Sequence, residues 1–269
     1  MAIKLIVTDL DGTLLTNEKL ISDRNKAAIA EAKAKGVMVT VATGRMCVAA
    51  AHYARRIGVT LPIVSCNGGL VRAYTGKAVF THCFTRELAR EVIALCYERD
   101  WNVQWYIDDK VYVKKFNPNL FRGYNLIDDF AVTEIGDDFE SYLDDVIQIV
   151  IRDLDGNIGN IQKFIHEKFQ GRLTVQQNTE VSVDIDALGI NKSVGIDVLI
   201  KKLGITKEEV MAFGDADNDI EMLKYVGVGV AMGNAIDAVK EVADIITEDN
   251  EHDGIAVAIE KYILNKYSL

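Results

Sequence analysis

Ile3-Lys4-Leu5-Ile6-Val7-Thr8-Asp9-Leu10-Asp11-Gly12-Thr13 is the stretch on which the reading of this chain turns. Ile3 to Thr8 is a short apolar run, the composition of a strand buried on both faces in a parallel sheet. It stops at two carboxylates two residues apart, which at a strand end can point into one space. One can attack an electrophile while the other handles protons. Two crowded anions also call for a cation close by. The four letters alone are weak evidence, because Asp153-Leu154-Asp155-Gly156 repeats them after another apolar strand. There Asn157 stands where the first copy has Thr13. The second copy reads as a surface turn.

Working outward, Ser22 caps a helix over 23–35, and Gly36 sits where a left-handed helix stop is wanted. A strand over 37–41 runs into Thr43-Gly44-Arg45, followed by a helix over 46–57, a strand over 63–65 and the turn Asn67-Gly68-Gly69. This alternation predicts an α/β fold with a doubly wound parallel sheet, whose ligands gather at the carboxyl ends of the strands. The middle differs. It predicts a helix over 85–99, a hairpin of 103–107 with 110–114 around Asp108-Asp109, a strand over 146–151 and a helix over 158–169. Val181, Val183 and Ile185 alternate with Ser182, Asp184 and Asp186, the period of a half-exposed antiparallel strand. The βα rhythm then resumes. It predicts a helix over 193–203, a strand over 210–213 ending at Gly214-Asp215, a helix over 220–226, a strand over 228–232, and helices over 235–242 and 254–266. The expected division is a core of 1–83 and 188–269 with an inserted α+β module over 84–187.

Composition sets limits on function. The chain has 269 residues, 49% of them apolar and a formal net charge of −10, enough for a large core. No basic cluster suggests nucleic acid as a partner. No apolar run reaches the length of a membrane span, and Ala2-Ile3-Lys4-Leu5 is already strand-like, unlike a secretory leader. The expectation is a cytoplasmic protein. Cys47, Cys66, Cys83 and Cys96 form no C-x-x-C pair and read as small hydrophobes. Nothing in the sequence specifies an oligomeric state.

Three further motifs fall at expected strand ends. Thr43-Gly44-Arg45 offers a hydroxyl and free backbone N–H groups at a helix N-terminus, a setting that suits phosphate. Asn191-Lys192 precedes a helix. Gly214-Asp215-Ala216-Asp217-Asn218-Asp219 concentrates oxygen donors of the kind Mg²⁺ takes, without the spacing of an EF-hand calcium loop. As an ordered set these motifs resemble the haloacid dehalogenase superfamily of phosphohydrolases, and within it the Cof-type sugar-phosphate phosphatases, which carry a large cap between the second and third motifs. Asn67-Gly68-Gly69 and the tail from Gly233-Asn234 to Asp253-Gly254 look like that branch too.

The resemblance implies a Mg²⁺-dependent phosphomonoester hydrolase acting on a small phosphorylated metabolite. It implies Asp9 as nucleophile and Asp11 as general acid and base. Asp9, Asp215 and the backbone carbonyl of Asp11 would hold the metal. Leu10, Thr43, Gly44, Lys192 and Asn218 would bind the phosphoryl oxygens. Asp219 would support the metal or position Lys192, and Arg45 would salt-bridge within the core or face the cap. Trp101, Trp105, Tyr106 and Tyr112 read as cap core, with an aromatic wall for a sugar ring as the other reading; Asp184 and Asp186 lie near the domain junction, within reach of substrate hydroxyls. A phosphomutase would need the same core. A phosphate-receiving regulator shares the Asp, Thr and Lys but is far shorter and lacks the insert. Gly227, Gly229 and Gly233 miss the spacing of a dinucleotide-binding loop.

Overall fold

The structure, a computed structural model, describes residues 2–73, 76–121 and 130–266. The first part of the chain forms β1 (Leu5–Thr8), α1 (Asp23–Ala34), β2 (Met38–Val41), α2 (Cys47–Ala54), β3 (Ile63–Ser65), β4 (Leu70–Arg72) and β5 (Ala78–Thr81). The middle forms α3 (Arg86–Glu98), β6 (Asn102–Ile107), β7 (Lys110–Val113), β8 (Val132–Glu134), β9 (Gln148–Arg152), α4 (Ile158–Lys168), β10 (Leu173–Thr179) and β11 (Ser182–Ala187). The last part forms α5 (Lys192–Leu203), β12 (Val210–Gly214), α6 (Ile220–Tyr225), β13 (Val228–Ala231), α7 (Asp237–Val242), β14 (Ile245–Ile246) and α8 (Gly254–Tyr262).

A five-stranded parallel sheet runs in the order β14-β13-β12-β1-β2, so β1 is an interior strand with a neighbour on each side. Its residues alternate between two covered faces. Leu5 and Val7 pack with Ile196, Leu199 and Leu223 of α5 and α6. Ile6 packs on the opposite side with Ala28 and Ile29 of α1 and Ile255 and Ile259 of α8. Both faces are dry, which is why the strand reads as an uninterrupted apolar run. Each fully buried Ile, Leu or Val contributes about 1.5–3 kcal/mol relative to exposure. As the sequence predicts, Ser22 Oγ caps α1 by accepting from Asn25 N–H at 3.1 Å, and Gly36 leaves the helix at φ +89°.

The third expected parallel strand behaves differently. β3 joins the main sheet through an isolated parallel bridge between Ala42 and Val64. The chain then reverses through Cys66, Asn67 and Gly68, at φ 49°, 49° and 95°, and β4 and β5 continue as an antiparallel three-stranded sheet. Three consecutive left-handed residues make this turn, and the sequence offers only its glycines as a sign of it.

The middle segment builds a six-stranded sheet, in the order β10-β11-β9-β6-β7-β8, antiparallel except for the β7–β8 pair. One face carries Val103, Trp105, Ile149, Ile151, Val183 and Ile185 against α3 and α4. Trp105 donates its indole N–H to the Tyr142 carbonyl at 2.8 Å, while Tyr112 stacks beside it and Trp101 meets Phe164 edge-on. These three are ordinary core. Tyr106 lies on the other face, together with Gln104, Gln148, Val150, Arg152, Ser182, Asp184 and Asp186.

That second face corrects the expectation of a half-exposed β11. Ser182, Asp184 and Asp186 are 3%, 3% and 0% exposed. Asp184 and Asp186 face the turn after β3, where Asn67 Nδ2 donates to both, and Ser182 pairs with Thr179. A period of two reports two different surroundings, and here the polar one is protein. The turn between β6 and β7 adds a further contact. Asp108 and Asp109 pair with Arg72, and Asp109 Oδ1 accepts from Val48 N–H at 3.1 Å. The second Asp-Leu-Asp-Gly is an exposed turn, as read. Asp153 Oδ2 accepts from the N–H groups of Asp155 and Asn157 at 3.0 and 2.8 Å, and Leu154 is 52% exposed. Among the described residues, no helix is long and apolar enough to cross a membrane.

Candidate active site

β1 and β12 are hydrogen-bonded neighbours, and each ends in a carboxylate-bearing loop. Asp9 follows β1, and its N–H donates to the Phe213 carbonyl at 3.0 Å. Asp215 follows β12. Gly12 lets the two loops meet: it sits at φ +79°, and a Cβ there would run into the Asp215 carboxylate. Thr13 Oγ1 donates to Asp215 Oδ1 at 2.6 Å, and Asn234 Nδ2 donates to the Gly12 carbonyl at 2.8 Å.

Lys192 enters from the first turn of α5, capped by Asn191, whose Oδ1 accepts from Ser193 N–H at 3.0 Å. Its side chain is fully buried, with Nζ 2.7 Å from Asp9 Oδ1 and 2.6 Å from Asp219 Oδ1. Burial pulls this ammonium down, but the carboxylates of Asp219 and Asp9 more than offset that and hold it charged. Asp219 is also fully buried, and its Oδ2 accepts from the N–H groups of Asp215 and Ala216 at 2.9 and 3.1 Å. It therefore both positions Lys192 and closes the loop after β12.

Asp9, Asp215 and Asp219 each offer an oxygen within 4.8 Å of the others. Burial pushes the Asp9 carboxyl up; Lys192 opposes this, while Asp219, Asp215 and Asp11 add to it. Asp215 is pushed up to about 7 by burial and then by Asp219, against the pull of Thr13 and Lys192. Three carboxylates against one ammonium leave an excess of negative charge in a largely water-free space. Hard oxygen donors so crowded fit a divalent cation, which would relieve their repulsion.

Asp11 points elsewhere. Its carboxylate receives Arg45 in a two-point contact, Nε at 2.5 Å and Nη2 at 2.7 Å, and Lys19 Nζ at 2.8 Å. Burial raises this carboxyl, but the hydrogen bonds and charge of Arg45, with Lys19, outweigh burial and hold it well below the usual range. Any proton carried by Asp11 thus requires these ion pairs to open. Asp11, Lys19, Gly44 and Arg45 form the core side of a cavity of about 170 Å³. Tyr106, Val150, Arg152, Thr179, Val181, Ser182 and Asp184 of the six-stranded sheet form its other side.

The other expected phosphate contacts gather nearby. Thr43 is buried, and its Oγ1 accepts from Arg45 N–H at 3.2 Å. Leu10 is fully buried beside Asp9. Asn218 is buried and donates from Nδ2 to Asn67 Oδ1 at 3.0 Å. The helix after Thr43-Gly44-Arg45 begins only at Cys47, and its Val48 N–H is taken by Asp109. That N-terminus is capped by a carboxylate and is not open to an anion. Thr13, Asn67 and Asn234 join the site with no role expected from the sequence. Each lies within one of the motifs, but polar atoms meeting across more than a hundred residues leave no local signal.

A model of the haloacid dehalogenase-like hydrolases matches residues 6–259 of the chain. A 5-amino-6-(5-phospho-D-ribitylamino)uracil phosphatase of Bacillus subtilis is 35% identical, over 97% of this chain and 96% of that protein. A pyridoxal phosphate phosphatase of Escherichia coli is 29% identical, over 98% of this chain and all of its own length (100%). The solved structure of a HAD subclass IIB sugar phosphatase superposes with a TM-score of 0.83 at 25% identity, covering 96% of this chain and 98% of that one.

Proposed function

Because the chain belongs to the haloacid dehalogenase-like hydrolase family and is a phosphatase, we propose that it hydrolyses phosphomonoesters of sugars or similar small metabolites through an aspartyl-phosphate on Asp9, with Mg²⁺ as cofactor. Relatives named for a ribitylamino-uracil phosphate, pyridoxal phosphate and sugars support this class of substrate. The observation that carries the reading is the meeting of Asp9, Lys192, Asp215 and Asp219 at adjacent strand ends. We take 84–187 as the cap.

In this mechanism Asp9 Oδ attacks phosphorus, the ester P–O bond breaks, and Asp11 gives a proton to the leaving oxygen. Water then attacks the aspartyl-phosphate while Asp11 takes its proton, and inorganic phosphate leaves with the Asp9 carboxylate restored. Lys192 neutralises charge beside the attacking carboxylate, and Leu10, Thr43, Gly44 and Asn218 bind the phosphoryl oxygens. Asp9, Asp215 and the Asp11 carbonyl would hold Mg²⁺, which when bound would supply charge that offsets repulsion between carboxylate and phosphate. Arg45 holds Asp11 until substrate enters. The small cavity beside Arg45 and Arg152 receives the leaving group, and a sheet face closed over it excludes water.

The test is phosphate release from a panel of sugar phosphates, phosphorylated cofactors and nucleotides with Mg²⁺. Asp9→Asn is expected to abolish release while leaving the melting profile intact. Near-normal turnover by Asp9→Asn overturns the mechanism. A positional isomer in place of free phosphate identifies a mutase.

A further inference from the structure

Asn67 joins three parts of the molecule through one side chain and one backbone group. It is fully buried and left-handed, at φ 49°. Its N–H donates to the Thr43 carbonyl at 3.1 Å. Its Oδ1 accepts from Asn218 Nδ2 at 3.0 Å. Its Nδ2 donates to Asp184 Oδ2 and Asp186 Oδ2, both at 3.0 Å. Asp186 Oδ1 in turn accepts from Gln148 Nε2 at 2.9 Å.

Chemistry fixes the sense of this amide. Asp186 accepts at both oxygens, from Asn67 Nδ2 and from Gln148 Nε2, so the NH₂ end of Asn67 faces Asp184 and Asp186 and its carbonyl end faces Asn218. An amide turned the other way would set its donors against those of Asn218. Left-handed geometry at a non-glycine residue is strained, and such strain persists only where surroundings enforce it. The surroundings do: a Cβ on the next residue, Gly68 at φ +95°, would collide with the Asn191 carbonyl, so the turn lies flush against the start of α5. Asp184 and Asp186 lie on β11, the strand that leads from the inserted sheet to Lys192.

We propose that Asn67 is a positioning residue for phosphoryl transfer, an amide relay that couples the seating of the cap strand β11 to the orientation of Asn218. The relay rests on the reading above, in which Asn218 binds the transferring phosphoryl group. With β11 seated, one hydrogen of Asn218 Nδ2 is committed to Asn67 and the amide plane is set. With β11 displaced, Asn67 loses both acceptors, and its hold on the Asn218 amide loosens. The relay thus allows full phosphoryl binding only under a closed cap.

The experiment is a double-mutant cycle on the full-length chain with Mg²⁺, using p-nitrophenyl phosphate and the best sugar phosphate from the panel. Asn67→Gly keeps the left-handed backbone and removes the amide. It is expected to lower kcat about tenfold on both substrates with KM changed less than about threefold, because the loss falls on the transition state. Asn218→Ala is expected to lower kcat at least as much, and the double variant to match Asn218→Ala within about twofold. Losses that multiply in the double variant, or an Asn67→Gly effect confined to KM, overturn the relay. If Asn67→Gly fails to fold, Asp186→Ala removes the cap end of the relay and is run through the same cycle with the same expectations. Wild type and Asp9→Asn are measured alongside. No release by wild type overturns both readings, whereas release that Asp9→Asn abolishes, with multiplying losses, overturns the relay alone.

Discussion

The duplicated Asp-Leu-Asp-Gly motif permits a controlled perturbation: Gly12→Ala in one copy and Gly156→Ala in the other. Both glycines are left-handed, at φ +79° and +84°. An L-residue in that conformation costs about 1–2 kcal/mol, and this cost is common to both variants. The surroundings differ. A Cβ on Gly12 overlaps the Asp215 carboxylate, whereas a Cβ on Gly156 meets nothing within 4 Å. Asp215 must move in the first variant, breaking the 2.6 Å bond from Thr13. A hydrogen bond to a charged group is worth about 1.5–3 kcal/mol. Gly12→Ala should therefore cost about 2.5–5 kcal/mol and Gly156→Ala about 1–2 kcal/mol. For a chain of this size that corresponds to melting temperatures lower by about 10 °C and about 4 °C. Phosphate release should separate them further, because misplacing a carboxylate by an ångström costs about a hundredfold in rate, while Gly156→Ala should stay at the wild-type rate. Urea denaturation read by tryptophan fluorescence and a phosphate-release assay give both quantities. Equal stability losses, or equal rates, would refute the claim that close approach to Asp215 is what the first glycine provides.

Asp153→Ala should leave phosphate release within about twofold of wild type, since its carboxylate only caps an exposed turn; loss of activity with folding retained would assign the chemistry to the wrong copy. Chelation should stop phosphate release and added Mg²⁺ restore it, and binding at a hundred times Kd should stabilise the fold by about 2.7 kcal/mol in thermal melts. An unchanged melting temperature would count against a metal at the carboxylate cluster. Burial, then the neighbouring Asp184 charge, raises Asp186 well above its usual 3.8, against the pull of Asn67 and Gln148. The folded state then keeps a proton that the unfolded chain releases, so this contribution to stability is full below about pH 4 and is lost as pH rises through the folded value. Asp186→Asn should flatten that fall in melting curves taken between pH 4 and 8; an undiminished slope would place its origin elsewhere.

The sequence by itself determined the parallel core and most of its helix limits. Those features are written locally: apolar runs buried on both faces, Ser22 as cap, Gly36 as stop, and carboxylates where strands end. It also singled out Asp9 by the company it keeps in order along the chain. Tertiary structure decided the rest, because the deciding contacts are distant in sequence and mostly polar. The alternation in β11 is equally compatible with water or with Asn67, and only packing put protein there. Thr43-Gly44-Arg45 promised an open helix end, and Asp109, arriving from another sheet, filled it. Arg45 found Asp11 and Asp219 found Lys192 because strand order sets loops side by side that the chain keeps far apart. Local propensity reports what a segment buries, whereas the identity of what it is buried against is a property of the folded whole.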